Sequence, residues 1–330
     1  MRIFIADLIT ATLQSGRLLA VCIALLLLSA CDQSKETLKV GSNIWPGYES
    51  LYLARESGFL EGQPIELVEL PNATRVLQAF QSGDLDVAGL TLDEYLTLLA
   101  RGYKARVIAI MDYSEGADVL IARPEIQSLQ QLEGAVIVLE KTAVGAILLQ
   151  GALDSANLTV SQVTLKNAPV NQHDHRWKNP EVDAIVTFEP VRSRLLEAGG
   201  KVLFDSRQIP GRIVDVLVAS EKSLNNKSGQ IRHLLNGHFR ALTMMMSAPD
   251  KAAEIMSVRL KISQDKVWQL FDGLHIPGLQ ENRYLLESNL PDTLKRTEAL
   301  KRLMLESDLL NRNISLDASL FDANYLPDKG

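Results

Sequence analysis

Residues 38–70, LKVGSNIWPGYESLYLARESGFLEGQPIELVEL, decide the fold. Two short apolar runs, LKVGSNI at 38–44 and IELVEL at 65–70, flank a stretch in which Tyr48, Leu51, Tyr52 and Phe59 share one face at helical spacing. Pro46 and Gly47 break the first run just before that helix, which the spacing predicts over 48–57. Strand, helix and strand in this order are the unit of a mostly parallel sheet with helices packed on it. The rhythm carries on with a helix over 73–81, the run DVAGL at 86–90, a helix over 92–100 and the run ARVIAIM at 105–111.

After DVLIAR at 118–123 the rhythm restarts rather than continues. AVIVLE (135–140), VTLK (163–166), DAIVTF (183–188) and KVLF (201–204) read as strands, with helices over 144–155 and 191–198. IVDVLVAS at 213–220 is one more strand, and beyond it no clear strand appears. Helices are predicted over 229–247, 249–258, 263–271 and 290–309, a tail that must pack on an existing sheet. The economical arrangement is α/β with two lobes, the second inserted in the first: 38–122, then 123–212, then 213–330. Crossings near 122–125 and 210–215 make a hinge. In open parallel sheets ligands sit beyond the carboxyl ends of strands, so two facing lobes predict a cleft built from those ends.

The first residues stand apart from this globule. Arg2 and Arg17 flank a polar start, and the apolar run 18–28 is too short to span a bilayer comfortably, as in a signal peptide over 1–30. Leu28, Ser29, Ala30 and Cys31 resemble the bacterial lipobox, whose cysteine receives the lipid, and 31–37 is a polar linker. Cys22 lies inside the apolar run, so the exported chain keeps one cysteine, acylated, and no disulfide. Several acyl chains hold a protein firmly at a membrane where one does not. Asp32, next to the cysteine, resembles an inner-membrane retention signal. The expected location is the cell envelope, facing the periplasm at the inner membrane, or the outer face of the cell membrane.

At 46% hydrophobic and 22% charged the composition is that of an ordinary globular protein. The whole chain carries a net charge of −6 from 34 basic and 40 acidic residues; without residues 1–30, which hold Arg2, Arg17 and Asp7, 32 and 39 remain, a net −7. A mildly acidic chain with no Lys/Arg block argues against a nucleic-acid partner. There is no G-x-S-x-G elbow, no G-x-G-x-x-G turn and no P-loop, so catalysis finds no support.

Four segments, NIWPGYESLYLARESGFLE (43–61), LQAFQSGDLDVAGLTLDE (77–94), IQSLQQLEGAVIVLEKTAVGAILLQGALDSANLTVSQV (126–163) and PEVDAIVTFEPVRSRLLEAGG (180–200), together resemble the nitrate, sulfonate, taurine and thiamine-precursor binding proteins. The resemblance implies the type II periplasmic-binding fold with hinge and interlobe cleft. It also implies a monomeric receptor that captures a small-molecule ligand for an ABC permease and its ATPase, with no cofactor and no catalytic residue. Gly62, Gln63 and Pro64 depart from the family's usual glycine-leucine pair, and NQHDHRWKNPEVDA (171–184) is unusual. Both departures bear on the ligand more than on the fold.

Candidate site residues follow from strand ends that the resemblance turns toward the cleft. Trp45 and Tyr48 bracket Pro46 and Gly47, where a rigid aromatic either walls a small organic ligand or packs under the loop. Thr91 and Glu94 have capping-box spacing, and Asp93 beside them is a candidate for a ligand donor. Thr142 opens a helix whose N-terminal N–H groups favour an anion or a carbonyl oxygen, with Lys141 adjacent. Glu189, before Pro190, reads equally as a ligand acceptor and as a helix-start carboxylate. Asp112, Glu115, Asp118 and Asp215 cluster where the first lobe ends and returns, and a carboxylate-rich rim disfavours nitrate or sulfonate while favouring a cationic or neutral nitrogenous ligand. His173 and His175 alternate about Asp174, which on an extended segment puts both imidazoles on one side; a zinc site needs further ligands that the sequence does not supply.

The expected function is thus an extracytoplasmic solute-binding lipoprotein of an ABC importer, closing its lobes on a sulfonate-like or nitrogenous ligand such as a thiamine precursor, and not an enzyme. The alternatives are a sensory receptor with no permease and a pyrimidine-synthesising enzyme on the same fold.

Overall fold

Apolar alternation lays down the first strands of the computed structural model, which describes residues 36–141 and 144–328. The expected signal peptide, the candidate lipidation residue Cys31 and the ligand candidate Thr142 lie outside the described residues. In chain order the elements are β1 (Leu38–Asn43), α1 (Glu49–Glu56), β2 (Ile65–Leu70), α2 (Ala73–Ser82), β3 (Val87–Thr91), α3 (Leu92–Ala100), β4 (Ala105–Ser114), β5 (Val119–Ala122), β6 (Val136–Leu139), α4 (Val144–Ala156), β7 (Thr164–Asn167), α5 (His173–Trp177), β8 (Ala184–Thr187), α6 (Val191–Glu197), β9 (Lys201–Asp205) and β10 (Val214–Ser220). The tail adds α7 (Glu221–Asn226), α8 (Ser228–Ser247), α9 (Pro249–Leu260), β11 (Leu274–His275), α10 (Leu279–Arg283) and α11 (Leu290–Glu306).

Two sheets result, in the orders β11-β4-β10-β3-β1-β2 and β7-β6-β8-β5-β9. Within the first, β1 runs parallel to β2 and β3, while β10 is antiparallel to both β3 and β4. The second repeats the scheme, with β6 parallel to β7 and β8 and β5 antiparallel to β8 and β9. The antiparallel strand in each sheet is the one through which the chain enters or returns.

Strand β5 places the first crossing upstream of the expected 122–125. Val119–Ala122 pairs with β8 and β9 in the second sheet, so the chain passes between sheets at 115–118. A continuous apolar run such as DVLIAR reads alike as a buried strand of either sheet; only its pairing partners decide. The chain returns between Asp205 and Val214. Both crossing segments are knitted together: Ser114 Oγ meets Ser206 Oγ at 2.8 Å, the Gly116 N–H donates to Ser206 Oγ at 2.7 Å, and the Ser206 N–H donates to the Asp118 carbonyl at 3.0 Å.

The tail packs on the first sheet's helices, as it must. Ser50 on α1 and His238 on α8 meet at 2.8 Å with both side chains buried, and the Arg259 guanidinium at the end of α9 lies 3.5 Å from the centre of the Tyr52 ring while pairing with Glu49. Two expectations for the tail change. The segment 263–271 forms two short 3-10 turns rather than one helix, and the two-residue strand β11 pairs with the end of β4. A two-residue edge strand carries too few residues to show a period.

Leu217 is fully buried in β10, between β3 and β4, so truncating it removes packing from the face of the first sheet on which it lies. Leu217→Ala is expected to cost about 2–5 kcal/mol in urea unfolding. Val202→Ala, at a residue 39% exposed on β9, is expected to stay within about 0.5 kcal/mol.

Candidate functional site

At the facing edges of the two sheets, the ends of β1, β3 and β4 and the start of β10 meet the start of β5 and the ends of β6 and β8. Between them lies a cavity of about 30 Å³ lined by Asn43, Trp45, Tyr48, Ala73, Thr91, Glu94 and Asp215 from the first lobe and by Asp118, Val144 and Phe188 from the second. That is room for roughly one water, so the lobes stand closed on each other. A cavity of about 180 Å³ beside Asp93, Arg101 and Lys141 flanks it on one side. On another, a groove of about 570 Å³ shares Phe188 and is edged by Arg194, Arg259 and Lys266.

Local sequence explains how the first-lobe residues are held. Pro46 and Gly47 turn the chain tightly after β1, and a Cβ at Gly47 would overlap the Asp112 carboxylate, so only glycine fits there. Trp45 Nε1 donates to Asp112 Oδ2 at 3.0 Å. The Tyr48 ring lies over Gly89 of β3, where a Cβ would stand 2.8 Å from ring carbons, and its hydroxyl donates to Asp215 Oδ1. Glu94 in the first turn of α3 accepts the Thr91 N–H at 3.0 Å, the capping contact its spacing predicts.

Burial dominates the electrostatics. Asp93, Glu94, Asp112, Asp118 and Asp215 are all buried, and Asp112 and Asp215 are direct partners in the β4–β10 register. Desolvation pushes the Asp118 carboxyl up to about 7, with the Asp93 charge adding and Arg192 pulling the other way. Desolvation likewise raises Asp112, and raises Asp215 well above the usual carboxylate range with Asp112 as the next contributor. Glu94 is raised by burial and then by Asp93, and Asp93 by burial. Tyr48 titrates well above its ordinary value because of burial and the neighbouring Asp215.

Contacts near the cavity tie one lobe to the other. Trp45 and Phe188 meet edge to face, with ring centres 5.1 Å apart. Glu140, just after β6, accepts from the Thr74 N–H at 2.9 Å and from the Thr74 hydroxyl at the start of α2, and its other oxygen accepts the Val170 N–H at 3.1 Å. Asn72 Nδ2 donates to Asn171 Oδ1 at 3.1 Å.

Of the residues singled out from sequence, Trp45, Tyr48 and Thr91 line the central cavity and Asp93 lines its neighbour. Glu115 does not join them. It is exposed at the crossing, where its N–H donates to the Gly273 carbonyl at 2.7 Å, and the buried carboxylates of that cluster are Asp112, Asp118 and Asp215. Glu189 is buried but outside the central cavity, accepting from the Ser193 N–H at 3.2 Å and its hydroxyl at 2.9 Å, so it serves the start of α6, with Pro190 just before the helix. His173 and His175 sit on the short helix α5, not on an extended segment, and so face different ways. His173 is buried between Thr187 Oγ1 (3.1 Å) and the Ala168 carbonyl (3.0 Å), whereas His175 is exposed. Among the described residues no group of three or more His, Cys, Asp or Glu is placed to hold a metal, and no helix is long and apolar enough to cross a membrane. Sequence reasoning missed Phe188 and Glu140. Phe188 closes the strand DAIVTF and Glu140 the strand AVIVLE, and both strand ends turn toward the cleft, which is the signal that pointed to their neighbours.

Solved structures share this two-lobed type II periplasmic-binding fold. The alkanesulfonate-binding protein SsuA from Xanthomonas axonopodis pv. citri bound to MOPS superposes with a TM-score of 0.73 at 16% identity, covering 88% of this chain and 99% of that one. The periplasmic aliphatic sulphonate binding protein SsuA from Escherichia coli gives 0.68 at 17% identity, covering 85% and 96%. The desulfurization enzyme DSZB gives 0.63 at 17% identity, covering 88% and 97%, so this architecture also carries chemistry elsewhere. No curated protein matches the chain by sequence. The model of the NMT1-like family matches residues 32–260, well over half of the chain, and the protein belongs to that family.

Proposed function

We propose that the chain is the extracytoplasmic solute-binding component of an ABC importer, that it captures a small organic molecule between its lobes, and that a permease with its ATPase reads the closed form. One observation carries this reading: the central cavity is walled from both lobes, by Trp45 and Tyr48 on one side and Phe188 on the other. A ligand touching both walls favours closure over opening, which is how binding energy becomes a signal to a membrane partner. The lipobox-like Leu28–Cys31 stretch supports tethering of the receptor to a membrane through Cys31.

The ligand is nitrogenous rather than a sulfonate. The SsuA relatives are named for sulfonates, and MOPS carries one, yet the central cavity here is lined by Glu94, Asp118 and Asp215. Burial holds these carboxyls toward their protonated forms, and any of them that ionises repels a sulfonate and attracts a cation in a desolvated chamber.

Two outcomes test these points. In a thermal-shift screen of sulfonates, amines and pyrimidines, a ligand of the wild type raises its melting temperature; Trp45→Ala and Phe188→Ala are expected to weaken that ligand at least tenfold, and unchanged affinity in both variants would remove the interlobe site from the proposal. The unliganded protein should also lose stability with rising pH. An acid raised on folding contributes stability that is fully present below its unfolded value and is lost as pH climbs through its folded value, here about 7 for Asp118, at up to about 1.4 kcal/mol per pH unit. Asp118→Asn should therefore melt higher than wild type at pH 8.5 and no higher at pH 5, and equal melting at both would contradict the assignment.

A further inference from the structure

Acceptors without donors mark the chamber. Glu94 and Asp118 are 1% and 2% exposed, line the same cavity from the two lobes, and each keeps one oxygen, Oε1 and Oδ2, that no protein donor reaches. Asp112, fully buried beside them, leaves Oδ1 in the same state. Trp45 Nε1 donates to Asp112, the Tyr48 hydroxyl to Asp215 and the Thr91 N–H to Glu94, while the Thr91 hydroxyl and Arg192 Nε are themselves buried without a partner. Buried acceptors without partners destabilise a protein, so several around one chamber point to donors that arrive from outside.

The spacing and the walls narrow what arrives. Glu94, Asp118 and Asp215 line the chamber together, and no three of the described acidic or histidine side chains converge as a metal site requires. A point charge would satisfy one oxygen and leave the others bare. Trp45 and Phe188 supply flat aromatic walls, a surface that attracts organic cations over their faces.

We propose that the chamber, widened as the lobes part from this closed form, takes a small organic cation with at least two N–H donors, of the guanidinium, amidinium or primary diamine class, bridging Glu94 of the first lobe and Asp118 at the crossing into the second. This rests on the interlobe-binding reading above. The titratable and charged groups around the bound cation are Tyr48, Asp93, Glu94, Asp112 and Asp215 from the first lobe, and Asp118, Glu140 and Arg192 from the second. Because burial holds several of these carboxyls protonated near neutrality, a cation that pairs with them displaces protons, and its affinity rises with pH between about 6 and 8.5.

The test titrates agmatine, putrescine and benzamidine into the purified protein. Choline serves as a cation without N–H donors, taurine and ethanesulfonate as anions, and calcium as a bare metal. At least one N–H cation should raise the melting temperature at pH 8, bind tenfold or more weakly in Glu94→Gln and Asp118→Asn, and show a calorimetric heat that differs between two buffers in the sense of proton release. Choline should be inert. As Glu94 also caps α3, Asp118→Asn carries the result if Glu94→Gln does not fold. Protection by taurine, ethanesulfonate, choline or calcium, with the N–H cations inert, would overturn this proposal and, where it depends on Trp45, leave the solute-binding reading standing. Protection by none of these compounds would count against the proposal, and a broader screen without a Trp45-dependent ligand would then remove the binding reading as well.

Discussion

Asp112 and Asp215 face each other across the antiparallel register of β4 and β10, both out of contact with water, and the arrangement of the site follows from that pairing. Two like charges cannot both be ionised cheaply in such a place, so each is braced by a neighbour: Trp45 reaches Asp112, and Tyr48 reaches Asp215. Those braces fix the aromatic loop after β1. Gly47 is the residue that lets the loop come close enough, and Gly89 gives the Tyr48 ring its seat. The walls of the chamber are thus set by the need to support two buried carboxylates.

Such an arrangement makes sense only where function sets the terms. A core of matching volume built from apolar side chains would be at least as stable, so a buried acidic cluster is retained at the expense of stability. Its place at the crossing between the sheets matters too. Asp118 leads directly into β5, and its backbone carbonyl accepts from Ser206 on the returning segment, so the residue touches both crossings.

The two-lobed α/β plan was legible because its cause is local. Periodicity of 2 and 3.6, broken by Pro46 and Gly47, is written into each segment without reference to any other. The position of the first crossing was not legible, because DVLIAR is equally apolar whichever sheet receives it. Within the site, Trp45, Tyr48 and Thr91 were readable as strand-end residues with a turn or cap beside them. The pairing of Asp112 with Asp215 was not, since a register between strands 103 residues apart depends on how the second lobe is inserted. The reading of His173 and His175 failed for a related reason: five residues suffice for a helical turn, and HDHRW carries no apolar period that separates helix from strand.

Glu140 has a consequence of its own. It clasps the start of α2 from across the cleft, so part of what holds the halves shut is supplied by the polypeptide and owes nothing to cargo. On the proposed importer reading, a receptor biased in this way populates its closed shape while empty. Its apparent affinity gains, because less of the binding energy goes into reshaping the protein. The corresponding disadvantage on that reading falls on the proposed membrane partner, which must discriminate a loaded visitor from an unloaded one by something other than outline.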